Sequence, residues 1–444
     1  MTMTPTRPRT SDDVVDAVRD VLANRLACRH MARFGPDASL GTDLALDSLM
    51  TMNLLLHLEK DHGLVAPEKA ITTRAAETVG EFAALFLEED EDEKAAPVTI
   101  SALSAPHEAD RREGVHGEDY YKVKVHCFIS CIADAVMRAP GLDERPLFFG
   151  VWDAPFVTGD GSVIRYHEPG MEQDFFREWA ERLYGLRIVS WYDAHRSIDD
   201  NLATMRDLIA RRTEAEDVMV MLDMVRLPER ENLLNKDPFP HFVLLERTDD
   251  PETLLMRDVD YRWEGPMARE RVEDAIRQPS VEGGYIVDRS ATRAPSPDDI
   301  AAYFEASFHP RSNPLFDALR TVVAAHVRPG GDLAALEDAV ADFPLLLVRK
   351  YAYEHGFAFF WRALQRDTAS FMAWCDEIEA LVRGARSLNF ELLKLSRSAD
   401  PASVGAVNDA IERLDRQERA IKDGLAEAFA AWQRSVGPLG DGIR

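Results

Sequence analysis

The hydrophobic pattern divides the chain into three stretches. From residue 12 to 88 the apolar positions recur at helical spacing. "SDDVVDAVRDVLANRL" places Val14, Val15, Val18, Val21, Leu22 and Leu26 on one face and opens with a Ser-Asp cap. "LDSLMTMNLLLHLEKDHGL" predicts a second helix stopped by Gly63, and "TVGEFAALFLEE" a third, opened by Thr78 at capping-box distance from Glu81. From 119 to 295 helix and strand periods alternate. "KVKVHCFISCIADAVM" runs from a strand-like start into a helix. "RPLFFGVWDAPFV", "GSVIRYHE", "RIVSWY", "DVMVMLDMV", "HFVLLERT" and "TLLMRDVDYRW" read as strands, the last two joined by the turn "DDPE". "MEQDFFREWAERLYG" and "SIDDNLATMRDLIARR" read as helices between them. From 296 to 444 spacings of three and four return throughout, which predicts a helical bundle packed on the middle domain. The expected fold is therefore multi-domain: an all-α N-terminal domain of three or four helices, an α+β domain, and a C-terminal bundle. Residues 89–118, acidic and without period, read as a flexible linker.

Composition narrows the function. A chain of 444 residues has 52 Lys and Arg against 78 Asp and Glu, a net charge of −26. That excludes a basic nucleic-acid footprint. It suits cationic substrates, whose local concentration a negative field raises, although excess acid also simply keeps a protein in solution. Four cysteines without a paired pattern fit a reducing compartment. "MTMTPTRPRTSDD" holds no apolar signal core, and no run of about 18 apolar residues predicts a membrane span. A cytoplasmic protein is the expectation.

Asp47-Ser48-Leu49 stands at the head of the second helix. By itself this is an ordinary N-cap. Three helices in under 80 residues, with the preceding loop "GPDASLGTDLAL", together resemble acyl, aryl or peptidyl carrier proteins. The resemblance implies that Ser48 carries 4′-phosphopantetheine. A phosphodiester at a helix N-terminus sits favourably on free N–H groups. It also implies a phosphopantetheinyl transferase and an aryl-activating adenylation enzyme as partners. A carrier does no chemistry itself, so the next domain is expected to make, use or release the thioester, at an effective concentration near millimolar for a short tether.

Two of the four cysteines, Cys127 and Cys131, stand in "KVKVHCFISC". A disulfide four residues apart on a helix meets the required dihedral poorly. Zinc needs further ligands, and no second cysteine pair follows. Burial is the plain alternative and suits Cys131. Cys127 is different. It begins a helix after an extended segment, where the positive helix end favours a thiolate. Downstream, "DPFPHFVLLERTDDPETLLMRDVDYRWEG" offers His241 at the start of one strand and Asp258 or Asp260 on the next. Cys, then His, then Asp on neighbouring strands is the order of papain-like thiol enzymes. Hairpin pairing favours Asp258, with Asp260 two residues on along the same face. His126 points away from Cys127 if the chain is extended there and suits the core. No upstream Gln is present as an oxyanion donor, which leaves the Cys127 backbone N–H as a candidate.

This region resembles papain-like acyltransferases that accept acyl groups from carrier proteins, including the butirosin-type transferase. "KVHCFISC", "PLFFGVWDAPF", "HFVLLE" and "DVDYRWEG" look more like the condensing enzyme of petrobactin-type siderophore pathways. The resemblance implies transfer of a 3,4-dihydroxybenzoyl group from an aryl carrier to spermidine, with Cys127 as nucleophile. A polyamine acceptor calls for carboxylates and aromatic faces. Asp153, Glu168 and Asp260, with Trp152 and Trp263, are candidates for it. The same motif set fits a thioesterase, and a non-catalytic carrier-docking protein is a third class. Tyr351, Tyr353, His355, Phe359 and Trp361 form a helical stripe that belongs to a core or to an acceptor tunnel. Such helices also build dimer interfaces, so a homodimer stays open.

Overall fold

A computed structural model describes residues 10–26, 28, 30–44, 46, 48–72, 76–87, 125–228, 230 and 236–437. The segment read as a linker, 89–118, and the strand-like start at 122–124 lie outside the described residues. The chain divides into two compact units. One holds residues 10–87 with 383–394; the other holds the described residues from 125 to 382, apart from the break at 233–235, and 395–437.

Residues 10–87 of the first unit are helical: Ser11–Asn24, Ser48–His62, Glu68–Thr72 and Val79–Leu85. Val14, Val18, Val21 and Leu22 pack with Leu54, Leu55, Leu58, Phe82 and Ala83 in one apolar core. The Thr78–Glu81 capping box is present. The first helix is capped one residue earlier than expected. Thr10 and Asp13 close a capping box there, satisfying two first-turn donors that Ser11 would leave open.

The second unit is built on a six-stranded sheet. Its strands are β1 (Arg187–Ser190), β2 (Glu216–Asp223), β3 (Pro240–Arg247), β4 (Thr253–Asp258), β5 (Trp263–Ala268) and β6 (Gly284–Asp288). The order is β1-β6-β2-β3-β4-β5, antiparallel throughout. β2 and most of β3 are buried on both faces, which is why "DVMVMLD" and "HFVLLE" are continuous apolar runs. β4 alternates, with Leu254, Met256 and Asp258 inward. The Cys127–Met137 helix packs on β3, and Ile198–Arg211 and Arg269–Ile276 cover β2.

Two expected strands are absent. "RPLFFGVWDAPFV" forms two 3₁₀ turns, Arg145–Phe148 and Val151–Asp153. Gly150 between them has φ 79°, and a Cβ there would lie 2.5 Å from the Ser307 Cβ, so only glycine fits this bend. "GSVIRYHE" contributes one isolated bridge, Val157 to Arg165. "TLLMRDVDYRW" is broken after Asp258 by a turn, with Arg262 at φ 47°, before β5 begins. β6 and the Arg269–Ile276 helix were not foreseen. The C-terminal region is helical as its spacing predicts, ending in the long Thr368–Ser398 and Val404–Val436 helices. Among the described residues no helix is long and apolar enough to cross a membrane.

Candidate active site

Cys127 is the first residue of its helix. His126 is the cap, extended at φ −169°, and its side chain makes no capping bond. The first intrahelical bond runs from the Ser130 N–H to the His126 carbonyl, so the N–H groups of residues 127–129 have no partner within the helix. One turn on, buried Cys131 donates its thiol towards the Phe242 carbonyl at 3.8 Å, and Phe128 meets the Phe242 ring edge-on. These contacts seat the helix on β3 and bring Cys127 beside His241.

His241 is 3% exposed and Asp258 is fully buried. His241 Nε2 lies 2.9 Å from Asp258 Oδ1, and the same ring hydrogen-bonds Cys127. With Nε2 committed to the carboxylate, Nδ1 is left for the thiol. The paired part of the hairpin ends at Leu244 and Arg257, so Asp258 closes β4 next to Val243 and its carboxylate reaches His241 two residues further along β3. Asp258 Oδ2 accepts from buried Arg230 at 2.9 Å, and Oδ1 also accepts from the Tyr261 N–H at 3.2 Å.

The electrostatics follow from burial and pairing. Burial alone would push the His241 imidazole down, but Asp258 and Cys127 together hold it well above its ordinary value. Burial would likewise raise Asp258, and His241 and Arg230 bring it below the usual carboxylate range. His126 is held far below its ordinary value by burial and then by Arg349. It stays neutral, its Nδ1 buried without a partner. Cys131 is pushed well up by burial and then by Cys127, a further reason to read it as core. All four cysteines are free thiols.

Asp260 does not follow β4. The chain has left the strand by then, and Asp260 instead accepts from Ser130 Oγ at 2.7 Å. Asp258, but neither Cys127 nor His241, lines a cavity of about 560 Å³ together with Asp134, Glu144, Asp260, Glu264, Arg257, Arg262, Trp263 and His355. Burial, then Arg145 and Arg262, push His355 down to about 3, so it is neutral at pH 7. The cavity's lining holds five carboxylates and two guanidiniums, and Asp258 and Asp134 are in addition paired with Arg230 at 2.9 Å and Arg138 at 2.7 Å outside the lining.

Of the acceptor candidates, Asp260 and Trp263 line this cavity, and the Arg230 guanidinium covers one face of Trp263 at 4.0 Å. Asp153 is taken by the chain's own cations: its oxygens accept from Lys350 at 3.2 Å and Lys422 at 2.6 Å. Trp152 is buried and stacked on Tyr353 at 4.6 Å. Glu168 is exposed. None of these three lines the cavity. In the C-terminal stripe, Tyr351, Tyr353 and Trp361 are core, while His355 stacks on Phe148 at the cavity wall. Ser48 opens the Ser48–His62 helix; its side chain and Asp47 lie outside the described residues. Sequence reasoning missed Arg230, which pairs with Asp258, and Ser130, which donates to Asp260.

The larger unit is thus an antiparallel sheet whose central strand and covering helix bring a cysteine, a histidine and an aspartate together, with helices completing its C-terminal part. Residues 122–292 match the family described as the DUF6005 N-terminal domain, and residues 298–440 match the DUF6005 C-terminal domain. A petrobactin synthase of Bacillus anthracis is 34% identical over 313 residues, 70% of this chain and 96% of that protein. The chain belongs to the family of that petrobactin synthase. Residues 10–87 lie outside both family matches.

Proposed function

We propose that this chain is an amide-forming acyltransferase of siderophore or related natural-product biosynthesis. It takes an aryl group of the 3,4-dihydroxybenzoyl kind from a carrier thioester and delivers it, through Cys127, to an amine of a spermidine-like polyamine. The observation that carries this reading is the Cys127–His241–Asp258 cluster, whose Asp258 also lines a cavity rich in carboxylates. Its membership of a petrobactin synthase's family supports the reaction class.

The arm would be held at Ser48, where the Ser48–His62 helix starts and its first-turn N–H groups suit a phosphodiester. When bound, 4′-phosphopantetheine supplies the acyl group as a thioester. An adenylation enzyme and a phosphopantetheinyl transferase would load it. Cys127 sulfur attacks the acyl carbon, its proton having passed to His241 Nδ1. The donor's carbon–sulfur bond breaks, and the departing thiolate takes that proton, leaving acyl-Cys127. First-turn N–H groups of the Cys127 helix, which have no partner within the helix, are the candidates to receive the developing oxyanion. The amine then attacks, His241 accepts its proton, and the Cys127 carbon–sulfur bond breaks. Polyamine amines are mostly protonated at pH 7. The carboxylates around the cavity suit the ammonium groups that do not react, and Trp263 adds an aromatic face.

The test is intact-mass analysis of phosphopantetheinylated protein loaded with a 3,4-dihydroxybenzoyl thioester, before and after spermidine. Label at Ser48, label at Cys127, and amide release only with spermidine are expected, with Ser48→Ala unable to load and Cys127→Ala unable to release. Amine-independent release as free acid would make the protein a thioesterase. Undiminished amide formation in Cys127→Ala would remove the nucleophile.

A further inference from the structure

Asp258 is held in place by residues outside the triad. Asp258 and Trp263 are the register pair of β4 and β5 nearest the turn between them, so their side chains leave the same face of the sheet. Arg230 reaches this face from a separate part of the chain, the segment after β2, where its N–H donates to the Leu227 carbonyl at 2.8 Å. Its Nη2 donates to Asp258 Oδ2 at 2.9 Å, and its guanidinium carbon lies over the Trp263 ring, 4.0 Å from the centroid. The Tyr261 ring is 6.0 Å from the same carbon and meets the His241 ring edge-on, with centroids 5.3 Å apart. Arg230 Nε is buried without a hydrogen-bond partner among the described residues. A guanidinium held by one carboxylate oxygen can still turn about that contact. An aromatic ring under its flat face removes this freedom.

Trp263 is itself fixed by shape. Two residues on along β5, on the same face, stands Gly265. A Cβ built there would lie 2.7 Å from Trp263 Cζ2 and 2.9 Å from Cη2. The indole therefore fills the space that any other residue at 265 would need. Gly265 is not among the glycines of positive φ, so the requirement is for this space and not for a special backbone. Contacts thus run from Gly265 through Trp263, Arg230 and Asp258 to His241.

We propose that Trp263 is a positioning residue of the triad: it holds Arg230 against Asp258, and Arg230 fixes the carboxylate that orients His241. The proposal rests on the reading of Cys127, His241 and Asp258 as the reacting cluster. It gives Trp263 a part in the first half-reaction, before any amine is present, besides the face it offers the cavity.

The experiment uses that difference. The full chain is mixed with the N-acetylcysteamine thioester of 3,4-dihydroxybenzoate, without polyamine, and acylation of Cys127 is timed by peptide mass after acid quenching. The donor's carbon–sulfur bond breaks as the bond to Cys127 forms, and N-acetylcysteamine leaves as a thiol with the proton from Cys127. No Ser48 arm is needed. Trp263→Leu is expected to slow this acylation about tenfold. Trp263→Phe keeps a ring under Arg230 and should recover most of the rate. Gly265 does not line the cavity. Gly265→Ala should slow acylation when Trp263 is present and add nothing to Trp263→Leu, because the atoms it displaces are gone. Should Trp263→Leu fail to fold by circular dichroism, Gly265→Ala carries the test alone. Acylation at the wild-type rate in folded Trp263→Leu, with only a raised spermidine KM in full transfer, makes Trp263 an acceptor contact and overturns the proposal. Equal losses in the Leu and Phe variants, or a folded Gly265→Ala with the wild-type rate, overturn it too. If wild type is not acylated at Cys127, or if Cys127→Ala still forms amide, the underlying reading fails and this proposal with it.

Discussion

Asp258→Asn separates the catalytic from the structural part of the buried cluster. Asp258 is fully buried and serves three donors: His241 Nε2 and Arg230 Nη2 at 2.9 Å, and the Tyr261 N–H at 3.2 Å. An asparagine keeps the shape but has one acceptor oxygen. If that oxygen faces His241 and Tyr261, its NH₂ meets the Arg230 guanidinium donor to donor, and Arg230, 4% exposed, is stranded without a counter-charge. Breaking a buried pair in this way costs about 3–5 kcal/mol. The imidazole also loses the charge that holds its tautomer, for which a loss of transfer on the order of 10³–10⁴-fold is expected. Urea unfolding and single-turnover acyl transfer read the two effects separately. The double variant Asp258→Asn with Arg230→Met removes the stranded cation and should recover about 2 kcal/mol or more, without restoring transfer. Transfer by Asp258→Asn within tenfold of wild type would refute the role given to Asp258. Parallel recovery of stability and transfer in the double variant would show that the activity loss came from misfolding.

Two further outcomes test the charges individually. His241 has a raised folded-state pKa, so its contribution to stability is fully present below about pH 6.5 and fades as pH rises through the raised value; urea unfolding of wild type against His241→Gln should show a larger difference at pH 6 than at pH 9, and a difference that grows with pH would contradict the assignment. Glu418 accepts from Lys350 at 2.6 Å and Tyr353 at 2.7 Å inside a buried network with Asp153 and Lys422; Glu418→Gln leaves two ammoniums facing one carboxylate and should cost about 3 kcal/mol in urea unfolding, and an unchanged unfolding midpoint would contradict the assignment.

How much of this was legible before the structure depended on how local each signal is. Helical periods in residues 12–88 and 296–440 report a face, and a face needs only its own segment to be read. The buried runs of β2 and β3 were visible for the same reason. "RPLFFGVWDAPFV" misled because an apolar run bounded by turn residues looks like a strand. Its bend depends on Gly150 meeting Ser307, more than 150 residues away. Cys127, His241 and Asp258 could be ordered by residue type and strand position. The choice against Asp260 depended on β4 ending at Asp258, a boundary set by the turn into β5. Asp153 illustrates the opposite failure. An acidic residue after an apolar run reads as available for a ligand, but its partners Lys350 and Lys422 come from distant helices.

The raised His241 pKa also orders the proton movements. Asp258 and Cys127 together hold the ring above its ordinary value, and on the proposed reading it would first act as an acid, protonating the departing thiolate of the donor. An acyl-Cys127 would be neutral and would remove one of the two groups that favour the protonated ring, leaving burial to weigh more heavily. His241 would then be the base at the step where an amine must lose a proton. Asp258, already paired with Arg230, keeps the ring's orientation through both states. Under the proposed transfer the same residue would be an acid towards the donor and a base towards the acceptor, because acylation would remove the charge on Cys127 between the two half-reactions.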